Sequence, residues 1–523
     1  MSIKLLDCTL RDGGHQNGSL FGEEVIRSII RGLDCAKVDY IEIGFLREKN
    51  VGFGYSASDS IENFESRFCG RDDQCRYAVM IQEDQYPIHK LPDYCGGPIG
   101  MIRVSFHDYD KGEGLDYCRE VIRKGYHVSV NPINIAGYTD MEILEMISAA
   151  NAMGADVFTV VDTFGALTKD DLMRLHMLLD HNLREDICLG FHFHDNLQMA
   201  YTLAQSVVEI ASGSRDIIVD ASLLGMGREP GNLCIELMMS FLNRKKASHY
   251  DVDIALDLID QYIQEFKKKY PWGYETVYSL SAQYKLHRSY AEYLMKKQKL
   301  KVKQIRHILG QISEKYKSRY DEAYVEKLYR DFVATDVDDS YFREKLRSEI
   351  GNREVILIAP GHTLPGAEQE LKKRIKTDCF LISANFVPDT IETDYVFCTN
   401  LKRLGFIMGR VPWQKLMIGA FMKDECRENQ NILNTNELGR FGEIYWDNCM
   451  LMLMHLMKDI GIKNISVAGW DGFSAKNNFY NDQMESVYNY EDENIKVIQI
   501  LKNYFYDVHI EFITESIYEK AFI

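Results

Sequence analysis

The sequence contains little that would place the protein in a membrane or on a nucleic acid. No segment approaches the ~18 consecutive apolar residues that a membrane-spanning helix requires. Basic residues are in the minority, because 61 lysines and arginines stand against 78 aspartates and glutamates and give a formal net charge of −17. Such a balance disfavours general binding to nucleic acids or to anionic membranes. We therefore expect neither partner and favour small-molecule chemistry.

The cysteines lack the spacing of a paired site. The chain has 12 of them, and no two form a C-x-x-C pair. The first residues, Met1 to Lys4, lead directly into a strand-like segment and do not resemble a signal peptide. These features predict reduced thiols and a cytoplasmic protein.

The chain also lacks internal repeats and low-complexity tracts. With 523 residues it is long for one domain, so two or three domains are expected. Short apolar segments rich in β-forming residues recur in the first half, and amphipathic stretches such as 142–153 and 170–182 lie between most of them. The strand-like segments are 4–8, 40–44, 75–81, 101–106, 127–131, 157–161, 188–193 and 217–221.

Eight strands that alternate with helices over roughly 250 residues predict an α/β fold of the (β/α)8, or TIM-barrel, type for residues 1–250. Two further regions follow. Residues 251–350 are rich in Lys, Glu and Tyr at helical spacing, and they predict a helical extension over the barrel mouth. From Arg353 a strand, a glycine turn and a helix begin a second, Rossmann-like α/β domain, predicted for 351–523. Its further strand-like runs are 379–383, 395–399, 464–468 and 508–512.

Two histidines on one predicted strand indicate a metal site. His192 and His194 are two residues apart, so both imidazoles leave the same face of the strand. Asp12 follows the first strand and can add a carboxylate at the same end of the barrel. This donor set, with open positions for substrate oxyanions, favours Mg²⁺ or Mn²⁺ over a closed zinc site. Arg11 lies beside Asp12, and its guanidinium suits an oxyanion.

Three segments carry a resemblance to a known family. They are 5–16 (LLDCTLRDGGHQ), 190–196 (GFHFHDN) and 219–227 (VDASLLGMG). Over roughly the first 300 residues the chain is similar to the metal-dependent, HMG-CoA lyase-like barrel superfamily. That superfamily includes 4-hydroxy-2-oxovalerate aldolase, 3-hydroxy-3-methylglutaryl-CoA lyase and isopropylmalate synthase. The resemblance implies carbon–carbon bond chemistry on a 2-oxo acid, with Asp12, His192 and His194 as metal ligands.

His15 separates the activities of that superfamily. The aldolases carry His at this position, whereas the acyl-transferring synthases and the CoA lyase typically carry Gln. The resemblance implies that His15 takes the proton of the substrate hydroxyl as the carbon–carbon bond breaks. The glycine loop 225–232 also lacks the catalytic Cys of the lyase, which counts against lyase chemistry.

The resemblance gives roles to further residues. Thr163 replaces a Ser that contacts the substrate in the aldolases. Tyr274, with Tyr278 as the fallback, matches a Tyr that reaches into the barrel mouth and could relay a proton to His15. Asn232 aligns with a residue that reaches the metal in the lyase, whereas in the aldolases the corresponding residue orients a ligand without binding the metal itself.

Position alone makes His107 and Asn131 candidates for substrate binding. They follow the fourth and fifth predicted strands, at the end of the barrel where chemistry is expected. Either side chain could select the substrate, and a purely structural role fits them equally well.

The C-terminal domain resembles bacterial sialyltransferase-like or related nucleotide-handling Rossmann-type folds, through segments 382–386, 394–397 and 466–472. Gly361 begins a turn that could bind phosphate through backbone amides. The chain nevertheless has no complete G-x-G-x-x-G fingerprint and no P-loop. Two interpretations stay open: binding of a nucleotide or nucleotide sugar, and a noncatalytic role in assembly or substrate presentation.

The sequence as a whole favours a class II (metal-dependent) aldolase that joins or separates a pyruvate-type 2-oxo acid and an aldehyde. A C-terminal domain that handles activated sugars would place it in sugar-acid or surface-glycan metabolism. One alternative is a Claisen-type, acyl-CoA-dependent synthase of the isopropylmalate synthase type, which His15 disfavours. The other is a noncatalytic barrel that serves as a scaffold, which the intact ligand set disfavours. The extra domain puts the aldehyde dehydrogenase subunit of the aldolase family in doubt as a partner, and we expect a homo-oligomer.

Overall fold

A computed structural model describes most of the chain. The described residues are 2–49, 51–70, 75–211, 215–246, 248–375, 378–426, 429–474, 478–481, 484–485 and 488–522. They form two compact units, one of Met1–Ala291 with Ser313–Tyr320 and the other of Glu292–Ile312 with Asp321–Ile523. This division differs from the predicted boundaries after 250 and 350, because the helical segment is shared between the two units.

The first unit is built on eight parallel strands that close into a barrel. The strands are β1 Ile3–Asp7, β2 Tyr40–Leu46, β3 Arg76–Gln82, β4 Ile99–Phe106, β5 His127–Pro132, β6 Val157–Asp162, β7 Cys188–Phe193 and β8 Ile217–Ala221. Each strand pairs with the next, and β1 pairs with both β8 and β2 to complete the ring. The predicted (β/α)8 barrel is confirmed.

Helices surround the barrel, and their sequences contain the capping residues and the apolar periodicity that such helices require. Asp140–Met153 begins with a capping box formed by Thr139 and Glu142 and buries residues at the 3.6-residue period of an amphipathic helix. The other helices of the first unit are Gly14–Asn17, Glu23–Cys35, Ile61–Phe68, Lys111–Arg123, Lys169–Asn182, Ala200–Ile210, Ile235–Lys246, Val252–Leu258, Gln264–Lys269 and Thr276–Gln283. The predicted helices 142–153 and 170–182 are both present.

The helix Val252–Leu258 shows why the predicted boundary after residue 250 does not divide the chain. It packs on Glu23–Cys35, the first long helix of the barrel. Gly32 makes room for this contact, since a Cβ atom there would lie 2.7 Å from Leu258 Cδ1. The start of the helical segment is therefore part of the barrel unit.

Side chains inside the barrel are arranged in layers. Because side chains alternate along a strand, each strand sends one set inward. Six of the strands contribute to an apolar layer that includes Leu6, Tyr40, Ala78, Met101, Val157 and Ile218. Two positions further along β2, β4 and β8 lie Glu42, Arg103 and Asp220, all buried. An apolar layer thus supports a charged layer toward the C-terminal ends of the strands.

The second unit contains a seven-stranded parallel sheet. Its strands are β9 Glu354–Ile358, β10 Cys379–Ala384, β11 Tyr395–Cys398, β12 Leu416–Gly419, β13 Ile432–Leu433, β14 Asn464–Ala468 and β15 His509–Phe512. Their spatial order is β13-β12-β11-β10-β9-β14-β15. The strand order reverses between β9 and β14, as in doubly wound folds. The predicted second α/β domain is present, with the short strands β12 and β13 in addition to those predicted.

Helices cover this sheet. Cys449–Asp459 is buried on every side from Cys449 to Met457, as expected of a helix that is apolar all round. The other helices of the second unit are Val302–Leu309, Glu322–Val333, Ser340–Ile350, Leu364–Ile375, Leu401–Ile407, Thr435–Leu438 and Glu491–Tyr504, while Ser289–Lys296 lies across the division between the units. Among the helices described, none combines the length and the apolar composition needed to cross a bilayer.

Candidate metal centre

Three buried side chains meet at the C-terminal end of the barrel. One ligating atom from each of Asp12, His192 and His194 lies within 4.8 Å of the others. His192 belongs to β7 and His194 follows it directly, so the alternation of the strand sends both rings to the same side. A hydrogen bond from the Asp12 amide to the Cys8 carbonyl (2.8 Å) closes the turn that brings the carboxylate to them.

Hydrogen bonds orient both imidazoles for metal binding. The Nδ1 of His192 is 3.1 Å from Asp220 Oδ2, and the Nδ1 of His194 is 3.1 Å from the carbonyl oxygen of Asp162. With Nδ1 donating to an oxygen, the Nε2 atom of each neutral ring carries the free lone pair. This is the arrangement in which protein metal ligands are usually held.

The carboxylate of Asp12 is held in its ionised form. Burial raises its pKa, but the charge of Arg11 outweighs that effect and holds the pKa well below its usual range. Gly227 keeps the space beside Asp12 Oδ2 open, since a Cβ atom at residue 227 would lie 2.7 Å from that oxygen. An ionised oxygen donor and two imidazole nitrogens with open space beside them fit a divalent cation.

A chain of buried charges connects two of these ligands. Arg11 donates from Nη1 to Asp12 (2.6 Å) and from Nε to Glu42 (2.7 Å). Arg103 lies 3.0 Å from the same Glu42 oxygen and also donates to Asp220, the partner of His192. Acidic and basic groups alternate along this chain, so each buried charge has an oppositely charged neighbour.

Sequence reasoning missed Glu42, Arg103 and Asp220. The signal was present, because each is a charged residue inside a strand that is otherwise almost entirely apolar. A buried charge of this kind is rare unless it is paired.

His15 lies beside the cluster, in the short helix Gly14–Asn17. Its Nε2 is 3.9 Å from Asp12 Oδ1 and 3.3 Å from NH2 of Arg228. The ring meets Phe45 edge-on, with 5.4 Å between centroids. Burial lowers the pKa of His15 well below its usual value, and the charge of Arg228 lowers it further. The imidazole is therefore neutral and able to accept a proton.

A cavity of about 140 Å³ opens above the cluster. The predicted site residues that line it are Arg11, Asp12, His15, His107, Asn131, Thr163, His192 and His194. The lining residues that sequence reasoning did not identify include Gln82, Arg103, Ser105, Asn134, Arg228, His287 and Ser318. His287 follows the helix Thr276–Gln283. Its pKa falls to about 4 because of burial and the nearby charges of Arg288 and Arg228.

Several lining residues also have structural partners. Thr163 Oγ1 accepts a hydrogen bond from the Asn134 amide (2.7 Å), and Asn131 Nδ2 donates to the Ser129 carbonyl (2.8 Å). The His107 ring stacks on Tyr109 at 4.8 Å. Contact of Thr163, Asn131 and His107 with a substrate stays a prediction.

Asn232 contacts the ligating carboxylate. Its Nδ2 donates to Asp12 Oδ2 (2.8 Å) and to the Met226 carbonyl (3.2 Å), and its backbone bridges to His194. This geometry suits a residue that orients a ligand, the second of the two roles considered for it.

Tyr274 is placed differently from the other candidates. Its side chain is 57% exposed, and neither Tyr274 nor Tyr278 is among the described residues that line the cavity. The residues after the barrel that do line it are His287 and Ser318. Proton relay by Tyr274 stays a prediction without support from this geometry.

A family model and several named proteins match the barrel region of this chain. Residues 113–262 match the HMGL-like family model. The 4-hydroxy-2-oxovalerate aldolase of Shewanella pealeana is 26% identical over 299 residues, which cover 53% of this chain and 84% of the relative. The enzyme of the same name from Bacillus cereus is 26% identical over 260 residues, 49% of this chain and 72% of the relative.

Among solved structures, the N-terminal domain of a candidate aldolase from Bacteroides vulgatus is 25% identical, with a TM-score of 0.49, and the match covers 56% of this chain and 96% of that one. The sequence relatives are aldolases, and the residues that carry the resemblance meet at one site in the barrel. The barrel of this chain is thus similar in sequence to the HMGL-like family and to the 4-hydroxy-2-oxovalerate aldolases.

Proposed function

We propose that the barrel is a divalent-metal-dependent aldolase. It would interconvert a 4-hydroxy-2-oxo acid with pyruvate and an aldehyde. The observation that carries the proposal is the convergence of Asp12, His192 and His194 at a cavity that Arg11 and His15 also line. The aldolase relatives support the same chemistry.

The three ligands would hold Mg²⁺ or Mn²⁺, since carboxylate and imidazole donors with open positions suit a hard ion that binds oxyanions. Such an ion would polarise the 2-oxo carbonyl and so stabilise the enolate that forms when the carbon–carbon bond breaks.

Arg11 is positioned to bind the same oxyanion. Two of its nitrogens are held by Asp12 and Glu42, and the guanidinium has a further NH2 group to offer. Because the two carboxylates fix the guanidinium plane, the free donor is preorganised for a substrate oxygen.

His15 acts as the general base for the 4-hydroxyl group of the substrate. During cleavage the neutral Nε2 accepts this proton, the hydroxyl oxygen becomes the aldehyde carbonyl oxygen, and the electron pair of the C3–C4 bond moves onto C3 to give the enolate. Protonation of C3 by solvent water then yields pyruvate, and His15 returns its proton to the resulting hydroxide, so the enzyme regains its starting state. In the synthetic direction His15 returns its proton to the new alkoxide.

The wall of the cavity suggests the kind of aldehyde. Gln82, Ser105, Asn134 and Ser318 line it together with Thr163, beside an apolar part formed by Phe45, Met80, Ile133, Val161 and Phe164. Polar side chains of this type bind hydroxyl groups better than a plain alkyl chain. We therefore propose a hydroxylated aldehyde as the acceptor, in keeping with sugar-acid metabolism.

The test is turnover with and without metal. The purified chain is depleted with a chelator and incubated with 4-hydroxy-2-oxo acids, or with pyruvate and a panel of simple and hydroxylated aldehydes, and products are identified by mass spectrometry. We expect no turnover in the depleted protein and recovery with Mn²⁺ or Mg²⁺. Release of free CoA from an acyl-CoA and a 2-oxo acid, without any aldol product, would instead identify a Claisen-type synthase.

A further inference from the structure

A second cavity, of about 350 Å³, lies within the second unit. It is formed at the carboxyl ends of four neighbouring strands, by segments 359–361 after β9, 384–385 at the end of β10, 400–403 after β11 and 469–473 after β14. Residues 297–299 close it from the helical part of the same unit.

The position of this cavity is the one where doubly wound sheets bind ligands. The chain runs outward from β9 to β13 on one side and returns through β14 on the other, so the loops after β9 and β14 diverge at the switch point. They contact each other at their base, since a Cβ atom at Gly361 would lie 2.3 Å from the Gly469 carbonyl oxygen. Asp471, in the loop after β14, stabilises this contact between the loops by accepting a hydrogen bond from the backbone amide of Thr363 (2.9 Å).

Two adjacent cations line the cavity with neutral partners. Lys402 donates to Gln298 Oε1 (2.9 Å), and Arg403 donates to the Met484 carbonyl (2.5 Å). Both side chains are half-buried, and no carboxylate of the described residues lies within salt-bridge distance of either.

The other lysines of the cavity differ in this respect. Lys297 is paired with Glu326 at 3.1 Å, and Lys299 with Asp447 at 2.8 Å. Those charges are neutralised by the protein itself. The cavity is also lined by the carboxylates of Asp471, Glu485 and Glu493. Among the described residues none of these is within salt-bridge distance of Lys402 or Arg403, so an anion can still pair with the two cations.

The surroundings of Lys402 and Arg403 disfavour their charged forms when no anion is bound. Burial lowers the pKa of Lys402, and the neighbouring Arg403 lowers it further; burial also lowers the pKa of Arg403. A bound polyanion would relieve both effects, because an opposite charge favours the charged form of each side chain. Phosphate groups are the anions that such Lys and Arg pairs commonly bind.

Aromatic rings line the same cavity. Phe473 packs against Tyr490 with 5.4 Å between ring centroids, and Phe479 lies under the Arg403 guanidinium at 5.6 Å. Planar rings next to a phosphate-binding group offer surfaces on which a nucleobase can stack.

We propose that this cavity binds a nucleotide, with the phosphate groups at Lys402 and Arg403 and the base against Phe473, Phe479 or Tyr490. The site is formed entirely by the second unit, so the proposal does not depend on the aldol chemistry of the barrel.

Isothermal titration calorimetry of the full chain with CDP, UDP, ADP and GDP tests it, with inorganic pyrophosphate and the corresponding nucleosides as partial probes. We expect at least one nucleoside diphosphate to bind more tightly than both its nucleoside and pyrophosphate. Lys402→Gln and Arg403→Gln should each weaken that binding by roughly tenfold or more, since each removes a hydrogen bond to a charged group.

Arg410→Gln is the matched control, because Arg410 forms an exposed ion pair with Asp389 (2.7 Å) and does not line the cavity. Asp12→Asn should also leave nucleotide affinity unchanged, which separates this site from the proposed aldolase site. The proposal is overturned if no nucleotide binds, or if pyrophosphate binds as tightly as the best nucleotide. The comparison of whole and partial probes uses the unaltered protein, so it stands even if a variant fails to fold.

Discussion

At the scale of single residues, His15 has surroundings that make it a proton acceptor, and this can be tested by His15→Gln. Glutamine keeps a similar volume but has no basic nitrogen, so we expect aldol turnover to fall by roughly 10²–10⁴-fold. Metal content, measured by mass spectrometry of the bound ion, should stay the same because His15 is not a predicted ligand. His181→Gln, at an exposed position of Lys169–Asn182, is the control. Undiminished turnover of His15→Gln would give the role of base to another group.

Glu42 forms ion pairs with both Arg11 and Arg103, so its charge should influence how tightly the metal binds. Glu42→Gln keeps the shape but leaves two buried guanidinium groups with less opposing charge. We expect the affinity for Mn²⁺ to fall by roughly 10–100-fold, as for other residues that support a metal ligand. Titration with Mn²⁺ followed by electron paramagnetic resonance measures this directly. An unaltered affinity would mean that the chain of charges does not act on the ligands.

The raised pKa of Asp7 predicts that the stability of the folded protein depends on pH. Burial raises its pKa to about 7, with the charges of Glu42 and Glu236 adding to the rise. The folded protein therefore keeps a proton that the unfolded chain releases near pH ~4. The stability that Asp7 contributes is complete below that pH and declines as the pH rises to about 7. Urea unfolding at pH 5 and pH 8 should show a smaller decline in Asp7→Asn than in the parent protein.

Much of the metal site could be predicted, because Asp12, His192 and His194 follow a strand period and a motif that the sequence displays. The partners of these residues could not, because Glu42, Arg103 and Asp220 come from strands that lie far apart in the chain and meet only in the closed barrel. Tyr274 was placed by alignment with an aldolase segment, and its exposed position is set by local packing that no motif reports.

At the scale of secondary-structure elements, the strands of both sheets were predicted well because their apolar, β-branched runs are short and separated by clear turns. The two-residue strand β13 was missed because two residues carry no periodicity, and the four-residue strand β12 was missed as well. The helical segment after the barrel was identified, but its division between two units depends on which core each helix packs against.

Helix Lys111–Arg123 offers a test of packing against the barrel. A Cβ atom at Gly114 would lie 2.2 Å from Cγ of Phe106, a fully buried ring on β4. Gly114→Ala should therefore cost roughly 1–3 kcal/mol of stability through overpacking, a penalty that the ~1 kcal/mol gain in helix propensity only partly offsets. Gly112→Ala in the same helix meets nothing within 4 Å and should be neutral or slightly stabilising. Equal unfolding midpoints for the two variants would contradict this account.

At the scale of the whole molecule, the barrel unit includes a short segment from later in the chain. Ser313–Tyr320 belongs to it, and Ser318 lines the cavity. The Lys317 carbonyl accepts a hydrogen bond from the His287 amide (2.8 Å), and the Tyr316 and Arg319 carbonyls accept from the Tyr290 hydroxyl. A domain boundary drawn from sequence at residue 250 or 350 therefore does not delimit the catalytic unit.

Two truncations test this division. A chain that ends at Tyr320 keeps every described residue of the cavity and should retain metal binding and aldol turnover. Ile305 and Ile308 are replaced by serine in it, because these buried side chains belong to the second unit and would otherwise be exposed. A chain that ends at Ala291 keeps Asp12, His192 and His194 but loses the segment that supports His287.

We expect the chain ending at Ala291 to bind Mn²⁺ while its KM for the 2-oxo acid rises, because the ligands remain and one wall of the cavity does not. Steady-state kinetics and Mn²⁺ titration on the two truncated chains separate these effects. If both chains have the same KM, residues 313–320 contribute nothing to the substrate site. If the chain ending at Tyr320 binds metal but has no turnover, the second unit is needed for catalysis, and the two sites must be studied as one enzyme.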